Sequence, residues 1–399
     1  MSTEAATLLR RCDELAAISE EPGRLTRRVA TPALRQAAER VAGWMRDAGM
    51  DVRLDPVGSL VGRYAGEGDR TLLLGSHLDS VVDAGRYDGP LGVLSALAVV
   101  ERLHAAGRRL PFAVEVLGFS DEEGVRYGTA YLGSSVLAGT FDPGWLDRRD
   151  LDGVSLGEAL GAVGGDPSAV AGEAREPARL VGWIEVHIEQ GPRLEARGLP
   201  VGVVSSIQGA SRAVVTFRGV AGHAGTVPMD ARQDALVAAS RWVLEVEREG
   251  RSRDALVATV GQLSVRPGAA NVIPGEVEAW LDVRHADDAE RRAALQMLRA
   301  AVPEGTGWTE LYDIPAVACA PQLREVLGEA VAAAGFDRIE LPSGAGHDAV
   351  ALSRICPVAM LFVRCKAGIS HNPAESVDEA DVAVALDVLA GAVDRMAAG

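Results

Sequence analysis

Residues 71–124 read TLLLGSHLDSVVDAGRYDGPLGVLSALAVVERLHAAGRRLPFAVEVLGFSDEEG, and the texture of this stretch decides the fold. TLLLGSHLD (71–79) is an apolar run that turns polar only at its end, as expected of a strand covered on both faces. PLGVLSALAVVERLHAAG (90–107) has helical length and a closing glycine. FAVEVLGFSDEEG (112–124) is a second buried strand running into an acidic turn. Strand, helix, strand in this order predicts a right-handed parallel crossover in an α/β sheet with helices outside. In such sheets ligands bind beyond the carboxyl ends of the strands. Both strands place their polar residues at that end, His77 and Asp79 on one and Glu122 and Glu123 on the other.

Upstream, TPALRQAAERVAGWMRDAGM (31–50) predicts an N-capped helix of about five turns, and DVRLDP with SLVGRYAG an antiparallel pair. Downstream the texture changes near residue 209. SRAVVTFRG (211–219) alternates like a half-exposed strand, then come a loop and a long helix through DALVAASRWVLEVE. DALVATVGQLSV (254–265) and GEVEAWLDVRH (275–285) predict two more strands, and DDAERRAALQMLRAAV (287–302) a helix. A β-α-β-β-α-β run of this kind predicts a small antiparallel sheet with two helices on one face. QLREVLGEAVAAAG, PVAMLFVRC and DEADVAVALDVLAGAVDRM then return to helix, strand and helix. The expected architecture is a mixed, mainly parallel sheet flanked by helices, built from 1–208 and 323–399, interrupted by an inserted α+β domain at 209–322.

Composition narrows the function. The chain has 399 residues, 48% hydrophobic and 24% charged, with 40 Lys+Arg against 56 Asp+Glu and a net charge of −16. That balance argues against nucleic acid and anionic membrane as partners, since both call for a basic face. The four cysteines form no CxxC pair, so neither a disulfide framework nor a cysteine zinc site is indicated. The N-terminus carries acidic residues where a signal peptide needs an apolar stretch, which makes the cytoplasm the expected location.

The chemistry sits in the histidines. His77 and Asp79 flank one apolar residue, and a carboxylate there can accept the second ring N–H and fix the tautomer of a ligating imidazole. Asp88, in GRYDGP, stands in a glycine-bracketed turn before a helix, where a carboxylate can bridge two cations. Of the adjacent Glu122 and Glu123, one can ligate while the other handles protons. His187 in EVHIEQGP and His371 in SHNPAE complete a set of nitrogen and oxygen donors suited to Zn²⁺, Mn²⁺ or Co²⁺. His104 and His285 have no carboxylate-rich turn around them and read as packed or solvated imidazoles. HExxH and GxxxxGK[ST] are both missing from the sequence, which weakens single-zinc protease and nucleotide-driven readings.

GSHLDSVVDAGRYDGPLGVL, FSDEEGVRYG, VHIEQGP, GHAGTVPM, NVIPGEVE, SGAGHDA and FVRCKAGISHNPAE, in this order over about residues 25 to 395, resemble the M20 metallopeptidase superfamily. Within it they resemble the amidase branch: allantoate amidohydrolases, N-carbamoyl-L-amino acid hydrolases and β-ureidopropionases. The resemblance implies a zinc-exopeptidase-like catalytic domain, a dimerisation domain in the insert and two divalent metal ions per subunit. It implies that His77, Asp88 and His187 hold one ion, with Asp88 bridging to a second held by Glu123 and His371, and that Glu122 is the general base. Peptidases of the superfamily carry an acid where this chain has His187.

The resemblance further implies a homodimer in which His223, in GHAGTVPM, reaches the partner's active site. There it would be an N–H donor to the oxyanion that develops at an attacked ureido carbon. It also implies a clamp for the carboxylate of a small anionic ureido substrate, made of Asn271 and Arg284. Arginine suits that task because it binds carboxylate bidentately. Arg212 and Gln190 are further substrate-binding candidates. One departure concerns substrate choice: allantoate enzymes often carry Gln just before the position of Ser211, where this chain has Ala210 and places Gln208 two residues earlier. GHAGTVPM, SGAGHDA and CKAGISHNPAE are closer to allantoate enzymes. The expected activity is allantoate hydrolysis, with N-carbamoyl-L-amino acids or N-carbamoyl-β-alanine as alternatives and an exopeptidase or deacylase behind these.

Overall fold

The computed structural model describes residues 3–398. It divides into two compact units. One comprises the chain up to Ser205, Cys319–Leu341 and the chain from Gly346 onward; the other comprises Ser206–Ala318 and Pro342–Ala345. The division lies within a few residues of 208/209 and 322/323 and adds a segment that no local pattern marks. A long-range contact draws that segment in, the Gln208 N–H donating to the Ser343 carbonyl at 3.0 Å.

The first unit is built on a mixed sheet whose centre is parallel. Ala113–Phe119, Thr71–His77, Leu180–Ile188 and Val358–Val363 lie side by side in that order. Leu60–Tyr64 and Asp51–Leu54 extend one side antiparallel, and Val201–Ile207 the other. Thr71–His77 and Ala113–Phe119 are buried along their whole length, as unbroken apolar runs demand when both sheet faces are covered. Leu72, Leu74, Val114, Val116, Val186 and Leu361 share one core with Leu91, Leu94 and Leu97 of the crossover helix Pro90–Ala105. Helix Pro32–Asp47 starts as its sequence predicts, the Thr31 hydroxyl accepting from Leu34 N–H.

The stretch 132–208 was not legible as elements. It holds the short helices Leu132–Leu137 and Leu156–Ala162, packed around a small core with Val57, Tyr127 and Leu160, and then the central strand Leu180–Ile188.

The second unit is a four-stranded antiparallel sheet in the order Gly307–Ile314, Gly209–Arg218, Glu276–His285, Val257–Arg266. Alternate residues of Glu276–His285 are buried, so Val277, Leu281, Val215 and Phe217 pack against Trp242 of helix Ala235–Ser252 and Leu298 of helix Asp288–Ala300. Among the described residues no helix is long and apolar enough to cross a membrane.

Candidate active site and metal centre

Four neighbouring parallel strands deliver the site at their carboxyl ends. His77 is the last residue of Thr71–His77 and His187 the penultimate residue of Leu180–Ile188. Glu122 and Glu123 follow Ala113–Phe119, and His371 lies in the loop after Val358–Val363. Asp88 stands just before the crossover helix. Ligand atoms of His77, Asp88 and His187 all lie within 4.8 Å of one another, as do those of Asp88, Glu123 and His371. Asp88 belongs to both groups. Its Oδ1 is 3.1 Å from His187 Nε2 and 3.5 Å from His77 Nε2, while its Oδ2 is 3.2 Å from His371 Nε2. His371 Nε2 is also 3.4 Å from Glu123 Oε1. Glu122, with His77 and Glu123, forms a further such group.

Local bonds set these orientations. His77 Nδ1 lies 3.1 Å from the Asp79 carbonyl oxygen and His187 Nδ1 3.0 Å from the Ile188 carbonyl. A carbonyl only accepts, so each Nδ1 carries hydrogen, and in the neutral ring it is Nε2, facing Asp88, that has the lone pair to give a metal. The sequence had placed the Asp79 carboxylate on the ring N–H. The strand ends at His77, however, and the carboxylate stands 3.5 Å away. It accepts instead the N–H groups of Glu122 and Glu123 at 3.0 and 3.2 Å, holding the acidic turn against the histidine strand.

Asp88 is held from several sides. Tyr87 and Asp88 N–H donate to Glu375 Oε1 at 2.7 and 3.2 Å, and the Ser370 hydroxyl lies 2.9 Å from Asp88 Oδ2. The Gln190 amide donates to Asp88 Oδ2 at 2.9 Å, so this candidate for substrate binding is committed to the bridging carboxylate through its nitrogen. At Gly89, with φ +83, a Cβ would fall 2.6 Å from the His77 ring; only glycine fits a turn so close to the imidazole.

Burial and crowding decide the protonation of the metal-free site. Burial, reinforced by Glu123 and Asp348, pushes the Glu122 carboxyl well above the usual range. Burial, with Asp88 adding to it, raises Glu123 to about 7. Burial alone would raise Asp88 too, but the three histidines around it hold it well below the ordinary value. The hydrogen bond to Asp88 raises His371 to about 9.

Asp88 Oδ1 and His187 Nε2 are buried without a hydrogen-bond partner. Two buried lone-pair atoms facing each other call for a cation between them. Imidazole and carboxylate donors of this number fit divalent Zn²⁺, Mn²⁺ or Co²⁺, so the residues present suit metal ions.

Sequence reasoning missed several neighbours. Glu185, two residues before His187 on the same strand, is fully buried and accepts from the Ser76 hydroxyl at 2.6 Å. His347 packs its ring edge-on against His187, with centroids 4.6 Å apart. Glu375 and Ser370 lie in the same SHNPAE context as His371, a signal that could have found them.

The four remaining candidates belong to the second unit, where they form two pairs. His223 sits in a two-residue bridge opposite Val272, and the Asn271 carbonyl accepts Ala224 N–H at 2.9 Å. Gly225 N–H donates to His223 Nδ1 at 3.1 Å, so the hydrogen of the neutral ring is on Nε2, on an exposed side chain. Arg212 and Arg284 share Asp282, each placing Nε 2.8 Å from one of its oxygens, and Arg284 also donates to the Gly344 carbonyl at 2.8 Å.

A parallel sheet that gathers imidazoles and carboxylates at adjacent strand ends is the framework of a hydrolase. The chain belongs to peptidase family M20/M25/M40, whose profile matches residues 73–395. An N-carbamoyl-L-amino acid amidohydrolase from Geobacillus stearothermophilus is 40% identical over 98% of this chain and 98% of its own. An allantoate deiminase from Arabidopsis thaliana is 39% identical over 94% of this chain and 79% of its own. The crystal structure of an amidase of the hydantoinase/carbamoylase family from Burkholderia multivorans superposes with a TM-score of 0.91 at 34% identity, covering 99% of this chain and 98% of that one. The chain is an amidohydrolase acting on carbon–nitrogen bonds other than peptide bonds.

Proposed function

We propose that this enzyme hydrolyses the ureido group of a small anionic substrate at a two-metal centre, with allantoate as the first substrate to test. The observation that carries the reading is Asp88, shared between a group with His77 and His187 and a group with Glu123 and His371. These residues would hold two divalent ions, of Zn²⁺, Mn²⁺ or Co²⁺. Bound there, such ions supply Lewis acidity, which polarises a carbonyl and acidifies water.

Glu122 takes the proton from the attacking water and returns it to the departing nitrogen. Its carboxyl is buried beside His77 and Glu123, and burial raises it above the ordinary range, which makes it a stronger base than a solvated carboxylate. Hydrolysis of a terminal ureido group then yields ammonia, carbon dioxide and the amine.

Arg284 and Asn271 bind the substrate carboxylate, with Arg212 beside them. The positive charge of the two arginines locally offsets the anion-repelling net charge of −16. His223 donates from Nε2 to the developing oxyanion of the partner's site in a homodimer. Neither nucleic acid nor membrane is a partner, and four buried, unbridged cysteines suit a reducing compartment, the cytoplasm.

N-carbamoyl-L-amino acids are the second reading, favoured by the relative that matches almost end to end at 40% identity. A product assay with Mn²⁺, Zn²⁺ or Co²⁺ on allantoate, N-carbamoyl-L-amino acids, N-carbamoyl-β-alanine and dipeptides tests both. Turnover of dipeptides with none of ureido compounds overturns them together.

A further inference from the structure

Arg27 is fully buried, at 0% exposure, and no local sequence pattern singles it out. Its Nε donates to the Leu78 carbonyl at 2.7 Å, and its Nη1 to the carbonyls of Leu15 at 2.7 Å and Ile18 at 3.2 Å. Leu78 lies between His77 and Asp79. Leu15 and Ile18 lie at the end of helix Glu4–Ala16, where the partial negative charge of the last carbonyls favours a cation.

The main chain repeats the connection. Arg27 N–H donates to Ser80 Oγ and Ser80 N–H to the Arg27 carbonyl, both at 3.0 Å. Asp83 N–H donates to Thr26 Oγ1 at 3.2 Å and Ala84 N–H to the Leu25 carbonyl at 2.8 Å. The stretch 78–88 contains no helix or strand; Leu25–Arg27 holds it at Leu78, Ser80, Asp83 and Ala84.

The hydrogen bonds of this guanidinium go to carbonyls, with no carboxylate among them. Burial lowers it to about 10, against the pull of Asp79. Sealing a charge away without a bonded counter-ion is costly, and an apolar side chain of similar volume would close the same space at less cost. What an apolar side chain would not supply is the donor to Leu78. Through that carbonyl Arg27 bears on the His77 ring, whose Nδ1 bonds Asp79, and on the Asp79 carboxylate, which holds Glu122 and Glu123.

We propose that Arg27 is a positioning residue for the metal centre, tying the His77–Asp79 turn to the N-terminal helix so that His77 and the acidic turn are set before metal binds. The proposal rests on the two-metal reading. Partners one step behind the ligands typically change metal affinity about 10–100-fold.

The test is chelator competition for Zn²⁺ and Mn²⁺ on the full-length protein, with thermal melting of the metal-free form alongside. Arg27→Lys keeps the charge, but one ammonium cannot reach Leu78 and Leu15 together; Arg27→Gln removes the charge. Both are expected to bind metal about 10–100-fold more weakly. Arg28→Ala cuts the neighbouring pair with Glu20, at 2.8 Å on the same segment, without touching the Leu78–Ser80 turn, and is expected to keep wild-type affinity. Wild-type affinity in both Arg27 variants, whatever their melting temperature, overturns the proposal and leaves the metal centre standing. A wild-type protein that takes up neither ion overturns both. Should the Arg27 variants fail to fold, Ser80→Ala removes the reciprocal bond at smaller cost: weaker metal binding supports the proposal and unchanged binding overturns it.

Discussion

His187 Nε2 lies 3.1 Å from Asp88 Oδ1 in the interior of the first unit, and neither atom has a hydrogen-bond partner. The second oxygen of Asp88 faces His371 at 3.2 Å. One carboxylate thus serves two groups of ligands, and its loss is expected to empty both. Asp88→Asn is expected to retain almost no metal, whereas His371→Ala keeps the ion on the His77–His187 side. Metal analysis of the purified variants checks this; two ions per subunit in Asp88→Asn would remove it as the bridge.

Glu122 is buried beside these ligands but belongs to neither group that contains Asp88. The expectation is that Glu122→Gln keeps its metal and loses turnover by roughly 10²–10⁴-fold, the usual contribution of a positioned acid–base group. Steady-state rates measured with metal stoichiometry on the same preparation decide it. A rate near wild type excludes Glu122 from proton transfer, and loss of metal makes it a ligand.

The ligands were legible because each breaks an apolar pattern at a strand end or a glycine turn, where a polar side chain has no packing reason to be. His77, Glu122 and Glu123 show this most plainly. The parallel sheet was legible for the same reason, its strands being continuous apolar runs. Glu185 was not, since a single carboxylate inside the apolar strand Leu180–Ile188 gives no periodic signal and is explained only by residues distant in sequence, Ser76 on the neighbouring strand and His347 among them. Arg27 and Glu375 act through backbone carbonyls and N–H groups far along the chain, a relation that local spacing does not encode. The segment Pro342–Ala345 meets the second unit through such long-range contacts, from Gln208 to Ser343 and from Arg284 to Gly344.

The metal-free site predicts an opposite pH response with and without metal. His371 is raised from the usual 6.5 to about 9. The stability it adds to the metal-free fold is therefore fully present below about 6.5 and is lost as pH climbs through about 9. Glu123 is raised from 4.5 to about 7, so its cost to the fold is absent below about 4.5 and fully present above about 7. Metal must displace protons held at these positions, and its affinity rises across the same window. The gap in melting temperature between metal-loaded and metal-free protein is expected to widen from pH 6 to pH 9. A gap that stays constant, measured with metal in fixed excess, would show that neither group ligates.

His223 lies in the second unit with Nδ1 accepting from Gly225 N–H, which leaves Nε2–H as the donor. His223→Ala is expected to lower turnover by roughly 10²–10³-fold, the cost of losing one oxyanion donor, with metal content unchanged. Whether it serves its own subunit or the partner is decided by mixing. Unfolding and refolding His223→Ala with Glu122→Gln produces mixed dimers. If His223 acts across the interface, each mixed dimer has one site with an intact Glu122 and an intact His223 from the other chain. Statistical pairing then restores about a quarter of the wild-type rate, half the dimers being mixed with one of two sites complete. If His223 acts within its own chain, every site keeps one lesion and mixing restores nothing.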